Sequence, residues 1–402
     1  MARIRDYAII TGTYWAFTLT DGALRMLVLL HLHDRGFTPL ELASLFLLYE
    51  FFGVLTNLLG GWLGARLGLK WTLTAGLSLQ VVALGMLCGP EAWLSVAYVM
   101  SAQALSGIAK DLTKMSSKSY IKLVVPAGDH GGLLRWVALL TGSKNSLKGA
   151  GFFLGGFLLT AVGFRGACAG MGVLIAAALV LSSAALPRAP GKAKGRLHLR
   201  QLLSKDARLN RLSLARLFLF GARDVWFVVA LPVFLSTELG WDHSAVGGFL
   251  ALWVIGYGVV QAAAPRVVGA RRPPDAASLG RWTLALAVPL GALLFALHRG
   301  APPGGTLVVG LALFGALFAA GSAIHSYLVL RYAEEDQVAA DVGFYYMANA
   351  AGRLVGTVLS GAVFGALLGR AGLEACLGVS ILFVVISAAV CIPLSKAERG
   401  HA

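Results

Sequence analysis

The residues able to do chemistry in this chain are ionisable side chains set inside long apolar runs: Asp21 and Arg25, Glu50, Lys110 and Asp111, Lys144 and Lys148, Arg223 and Asp224, and Arg353. At the centre of a bilayer each cation is disfavoured by about 2.5–3.5 kcal/mol, so the six together would lose roughly 15–20 kcal/mol against lipid. That matches or exceeds the net stability of a typical fold, about 5–15 kcal/mol. These groups must face a polar interior, pair with acids, or both. Lys110, Lys114 and Lys118 recur every four residues, as do Lys144 and Lys148, which places each set on one stripe of a helix. Like charges at that spacing repel, and the arrangement makes sense if an anion is expected between the stripes. Arg25, Lys110, Lys144, Lys148, Arg223 and Arg353 are therefore assigned to an anion cavity, with Lys114 and Asn145 as outer contributors.

The competing reading is a structural network of ion pairs. It leaves a surplus, because Asp21, Glu50, Asp111 and Asp224 are fewer than the central cations. Asp21 and Arg25 share a helix face, whereas Arg223 and Asp224 are adjacent and are expected to point in different directions toward other partners. Asp21 and Glu50 are the proton-coupling candidates, since burial favours the neutral acid. Lys118 is expected to snorkel to a helix end, and His325 to be packed rather than titrating. Tyr345, Tyr346 and Asn349 are candidates to line a polar cavity. No nucleophile and base pair, phosphate loop or metal-ligand cluster stands out, so an enzyme is not expected and no cofactor or metal is called for. Cys88, Cys168, Cys376 and Cys391 are scattered and read as small buried hydrophobes.

The elements that must position these residues are set by composition. Of 402 residues, 57% are apolar and 13% charged, far from the roughly 45–50% and 25% of a soluble domain. An all-α polytopic membrane protein follows. Twelve apolar runs fall near 9–31, 42–63, 72–89, 93–115, 137–160, 167–186, 213–236, 246–264, 282–298, 305–330, 343–368 and 374–394. The domains are then a six-helix bundle over 1–186, a basic linker over 187–212 and a second six-helix bundle over 213–402. Net charge is +15, and nearly all of the loop cations fall on one side. The opposite loops hold only Arg35, Arg165, Arg299 and Arg370. The positive-inside rule then places both termini and the linker in the cytoplasm, and the excess charge needs no nucleic acid to explain it. Contact with anionic lipid at the linker is a further expectation. The first apolar run is too long and too charged for a cleaved signal peptide and reads as a retained span. A monomer is expected.

The halves repeat faintly about 205 positions apart, with Lys148 before Gly155-Gly156 opposite Arg353 before Ser360-Gly361. Over its whole length the chain resembles the major facilitator superfamily. The segment Gly60-Gly61-Trp62-Leu63-Gly64-Ala65-Arg66-Leu67-Gly68-Leu69-Lys70 looks like that superfamily's loop G-x-L-x-D-R-x-G-R-K, with Ala65 in place of the acid. Gly151-Phe152-Phe153-Leu154-Gly155-Gly156 looks like the G-P-x-x-G-G element of its antiporters, Phe152 standing where Pro is usual; a generic small-residue helix contact is the alternative.

The strings DGALRMLVLL (21–30), LYEFFGVLTNLLGGWLGARLGL (48–69), AQALSGIAKDLTKMSSKS (102–119) and LTGSKNSLKGAGFFLGG (140–156) resemble the ArsJ branch, the permeases associated with arsenate resistance. That resemblance implies efflux of 1-arseno-3-phosphoglycerate, formed when glyceraldehyde-3-phosphate dehydrogenase uses arsenate for phosphate. It also implies a bacterial cytoplasmic (inner) membrane location. A pentavalent oxyanion is recognised as phosphate is, through basic side chains rather than clustered thiols. Alternating access by the two halves is expected, with coupling by proton antiport, anion exchange or downhill escape. The alternatives are an organophosphate exchanger on the same fold and a non-transporting membrane receptor or scaffold.

Overall fold

The computed structural model describes residues 2–35, 47–187, 206–269 and 273–400. Among them the chain forms twelve long helical spans. α1 is Ala2–Asp34, α2 Leu47–Leu67, α3 Leu69–Leu87 and α4 Val96–Val124. One run, His130–Ala185, is broken at Gly163 (φ 70°, ψ 175°) into α5, 130–162, and α6, 164–185. The left-handed φ explains why glycine makes the turn. α7 is Ala207–Thr237, interrupted near 228–229, α8 is Ser244–Val268 and α9 Ala276–His298. α10 is Pro303–Tyr332, α11 Val338–Leu367 and α12 Gly369–Arg399.

Several helices outrun the apolar segments that reveal them. α5 starts at His130 and α7 at Ala207, each about two turns before its apolar run begins. Polar residues continue a helix wherever a cap supports them. Asp129, Asp206, Asp242 and Asp275 each accept a backbone N–H of the first turn, at 2.7 Å in every case. α7 thus takes residues 207–212 from the expected basic linker, and residues 188–205 of that linker, like Gly36, Phe37, Arg271 and Arg272, lie outside the described residues. Among the described residues eight helical runs are long and apolar enough to cross a membrane, by length and composition, with His130–Ala185 counted as one. Large side chains such as Val173 and Val288, 70% and 72% exposed, fit lipid contact rather than water.

The chain packs as two compact units, Met1–Leu203 with Ala333–Met347 and Ser204–Tyr332 with Ala348–Ala402. The first turns of α11 thus pack within the first unit, although the sequence groups them with the second half. The first core is aliphatic, built on Leu24, Leu27, Leu73, Leu77 and Leu84. The second is aromatic, with Trp226, Phe234, Phe314 and Phe318 fully buried.

Each unit contains a helix pair that approaches at backbone distance and carries a cation of the site. A Cβ on Gly22 of α1 would sit 2.6 Å from the Lys148 carbonyl oxygen, and one on Gly151 of α5 2.6 Å from that of Leu19; one on Gly155 would collide with the Ala23 carbonyl. In the second unit, a Cβ on Gly356 of α11 would sit 2.7 Å from the Gly221 carbonyl of α7, and one on Gly352 would collide with that of Leu217. Small residues allow both crossings. They bring Lys148 beside α1 and Arg353 beside α7.

The loop motif keeps its turn: Gly68 has φ 99° between α2 and α3. Lys70 Nζ donates to the carbonyls of Ser183 and Leu186, at 2.6 and 2.7 Å, capping the negative end of α6. Ala65, where the motif would carry an acid, is fully buried among apolar side chains.

Candidate functional site

In the first unit the basic side chains converge on two tyrosines. Tyr49, from the first turn of α2, is fully buried. Arg25 Cζ of α1 lies 3.9 Å from its ring centroid, and Lys110 Nζ of α4 lies 3.7 Å from it. Its hydroxyl donates to Asp21 Oδ1 at 2.8 Å. Gly107, one turn before Lys110, makes room, since a Cβ there would meet the Tyr49 ring and carbonyl at 3.0 Å. Lys148, Arg25 and Lys110 all act electrostatically on Asp21, and Lys144 acts on Lys148. Lys144 Nζ also donates to Asn145 Oδ1 at 3.3 Å.

Next to Lys110 on α4, Asp111 is buried between two lysines, with Lys114 Nζ 2.5 Å from Oδ1 and Lys110 Nζ 3.8 Å from Oδ2. Gly53 of α2 leaves the space that this carboxylate fills. Lys114 and Lys118 then share the second tyrosine, Tyr346 of α11, with Nζ to centroid distances of 4.7 and 4.6 Å. Lys118 also donates to the Tyr346 hydroxyl. At 4% exposure Lys118 does not snorkel; α4 continues to Val124, which buries a residue that the shorter apolar run put near a helix end. The Tyr14 hydroxyl of α1 is buried with no hydrogen-bond partner among the described residues and lies within the electrostatic reach of Tyr346, Asp111 and Asp21. A desolvated cation on an aromatic face gains about 2 kcal/mol or more, so the rings offset part of the cost of burial.

The second unit holds a different arrangement. Asp224 of α7 is fully buried and accepts from Arg223 Nε at 2.6 Å on Oδ1 and from Arg353 Nε at 3.0 Å on Oδ2. The expectation that Arg223 and Asp224 point apart is corrected here: the long arginine side chain curls back, and its Nη2 lies 2.5 Å from Oδ1 of its neighbour. Two turns earlier on α7, Arg216 is 3% exposed. Its Nε donates to Asn349 Oδ1 at 2.8 Å and its Nη1 to Ser322 Oγ at 3.1 Å, with Cζ 3.8 Å from the Phe220 centroid. Gln261 donates to the same Ser322 at 3.1 Å.

The anion-site candidates thus fall into two groups: Arg25, Lys110, Lys114, Lys144, Asn145 and Lys148 in the first unit, Arg223 and Arg353 in the second. Asp21 is buried at the first group, and Glu50 falls in α2 with its side chain outside the described residues. His325 is fully buried, as a packed residue would be, and so are Cys168, Cys376 and Cys391. Tyr49, Tyr14 and Arg216 escape the sequence reading. Only Arg216 carried a signal, its seven-residue spacing from Arg223 on one helix face. Among the described residues no group of His, Cys, Asp and Glu is arranged to hold a metal ion.

The sequence pattern of the Major Facilitator Superfamily matches residues 10–223, a little over half of the chain. The chain belongs to the major facilitator superfamily. Solved members share its fold: the human organic anion transporter MFSD10 (TETRAN), at 18% identity and a TM-score of 0.74, with 96% of this chain and 99% of that one covered. A bacterial homologue of the iron transporter ferroportin in its outward-facing state gives 17% and 0.76, covering 97% and 99%. The proton:xylose symporter XylE gives 14% and 0.75, covering 96% and 94%. No curated protein sequence matches the chain. As a member of the superfamily this protein is a polytopic membrane transporter. The glycine crossings of α1 with α5 and of α7 with α11 occupy corresponding places in the repeat. Each brings a cation of the later helix, Lys148 or Arg353, toward a buried acid of the earlier one, Asp21 or Asp224.

Proposed function

We propose that this transporter exports a small, multiply charged organic anion, 1-arseno-3-phosphoglycerate, and so confers arsenate resistance. It works as a monomer in the bacterial inner membrane with both termini cytoplasmic, by alternating access, and depends on glyceraldehyde-3-phosphate dehydrogenase for its substrate. The observation that carries the reading is the charge imbalance in the first unit. Arg25, Lys110, Lys114, Lys118, Lys144 and Lys148 outnumber Asp21, Asp111 and, by sequence, Glu50, and four of these cations rest on aromatic rings. A cationic or neutral substrate has no use for such a surplus; a phosphate or arsenate ester accepts charge-assisted hydrogen bonds from it. The resemblance of segments 21–30, 48–69, 102–119 and 140–156 to ArsJ permeases supports the arsenical as the particular anion.

The test is uptake into inside-out vesicles, with the ester supplied by the dehydrogenase acting on glyceraldehyde 3-phosphate and arsenate. Saturable uptake that 1,3-bisphosphoglycerate competes is expected. Uptake no faster than in vesicles lacking the protein would overturn the reading. Uptake that requires phosphate on the opposite side would replace export with organophosphate exchange.

A further inference from the structure

We propose that Cys88 and Cys168 are a disulfide site on the exoplasmic side of the first unit, closed by a disulfide oxidant and joining the end of α3 to the start of α6. The inference goes beyond the export reading and takes from it only the orientation of the chain.

The register of two helices brings the cysteines together. α3 and α6 run antiparallel, and at one end Lys70 Nζ reaches the Leu186 carbonyl at 2.7 Å. Farther along, a Cβ on Gly172 of α6 would sit 3.9 Å from Leu84 Cβ of α3. Cys88 lies four residues after Leu84 and Cys168 four before Gly172, so one more turn of each helix sets the two side by side. A disulfide needs Cβ atoms about 3.5–4.5 Å apart, and the crossing holds that separation one turn before the pair. Three further contacts agree with this register. The Cys88 thiol donates to the carbonyl of Arg165, three residues before Cys168, at 3.8 Å. Cys88 packs against the same apolar core that buries Cys168. Cys168 also lies within the electrostatic reach of the Cys88 thiol.

The other two cysteines have no such arrangement. Cys376 and Cys391 are buried in one helix, α12, about 22 Å apart along its axis. The thiols of Cys88 and Cys168 are free in the structure, with Cys88 half-exposed at the C-cap of α3 and Cys168 fully buried. That asymmetry orders the chemistry. The Cys88 thiolate, its proton lost to solvent, attacks one sulfur of the oxidant's disulfide; a mixed disulfide forms and one thiolate leaves. The Cys168 thiolate then attacks the Cys88 sulfur and expels the second thiolate. The protein loses two protons and two electrons, and the oxidant's disulfide becomes two thiols. On the proposed orientation the pair sits at the loops opposite the cytoplasm, beside Arg165, in the compartment where such bonds persist. The bond would enclose α4 and α5, and so restrict the unfolded chain.

The full-length protein in lipid nanodiscs is equilibrated with oxidised and reduced glutathione, quenched with N-ethylmaleimide, digested and read by mass spectrometry without reduction. Oxidising mixtures should yield peptides linked through Cys88 and Cys168, with Cys376 and Cys391 unlinked. Thermal unfolding should rise by roughly 5 °C over the reduced protein, and dithiothreitol should reverse the rise. Glutathione attached to Cys88 without a linked pair would overturn the proposal, because the thiols then do not meet. Four unmodified cysteines in the most oxidising mixture, or a linked pair with no change in unfolding, would overturn it as well. Cys88→Ser should unfold like the reduced wild type in every mixture; a rise on oxidation that survives in this variant counts against the pair. No anion is present, so the export reading is untouched by any of these results.

Discussion

At the scale of single residues, both units seat buried cations on carboxylates and aromatic rings together, and the consequence of a mutation depends on which partner it removes. Asp224 is fully buried and bonds two arginines. Removing one partner of such a group leaves uncompensated charge and typically destabilises by about 3–5 kcal/mol. Asp224→Asn is therefore expected to lower stability on that scale, measured as the shift in thermal unfolding in detergent, and adding Arg353→Leu should restore part of it. A shift no larger than that of a surface substitution would show that the arginines find other support. Charges at mid-span were legible in the sequence because each is too unfavourable in hydrocarbon to be incidental. What they rest on was not. Tyr49 is one aromatic among many in apolar runs, and only the crossing of α2 with α1 and α4 shows that two cations share its ring.

At the scale of helices, the same sequence motif contains glycines with different duties. Gly155 faces the backbone of α1, where a Cβ would collide with the Ala23 carbonyl, whereas one on Gly156 would meet only Leu30 Cδ1 at 3.8 Å. Gly155→Ala should destabilise by about 1–3 kcal/mol, since backbone cannot move aside as a side chain can. Gly156→Ala should be neutral or slightly stabilising, by up to about 1 kcal/mol, from helix propensity. Denaturation of the two variants side by side checks this; equal shifts would mean that the crossing is looser than its glycines indicate. Lys70 serves its helix differently, holding the last carbonyls of α6. Lys70→Met should lower the unfolding transition by about 1 kcal/mol, and an unchanged transition would assign the lysine to the membrane surface alone. The helices themselves were legible as apolar runs, yet their ends were not. Hydropathy marks only the stretch that lipid or core demands, while Asp129 and Asp206 extend α5 and α7 through polar residues by capping them.

At the scale of the whole molecule, the surplus of buried cations bears on what drives transport. On the proposed anion-export reading, an empty carrier holds that positive charge at membrane depth, and a bound polyanion offsets it. The loaded and empty carriers therefore differ in charge, and one leg of the cycle must move charge across the membrane. Each elementary charge crossing 100 mV is worth about 2.3 kcal/mol, roughly fiftyfold in an equilibrium. With the cell interior negative, the potential favours the anion leaving and the positively charged empty site returning, so export needs no acid to carry a proton. Inside-out vesicles clamped lumen-positive should accumulate the ester faster than vesicles held at zero potential. Asp21→Asn should leave the ratio between the two conditions unchanged even where it slows both, because Asp21 is tied to Tyr49 within the cation group. A rate indifferent to the potential but dependent on a pH gradient would make the acid the proton carrier. A rate indifferent to both, yet dependent on a counter-anion, would make the cycle an electroneutral exchange.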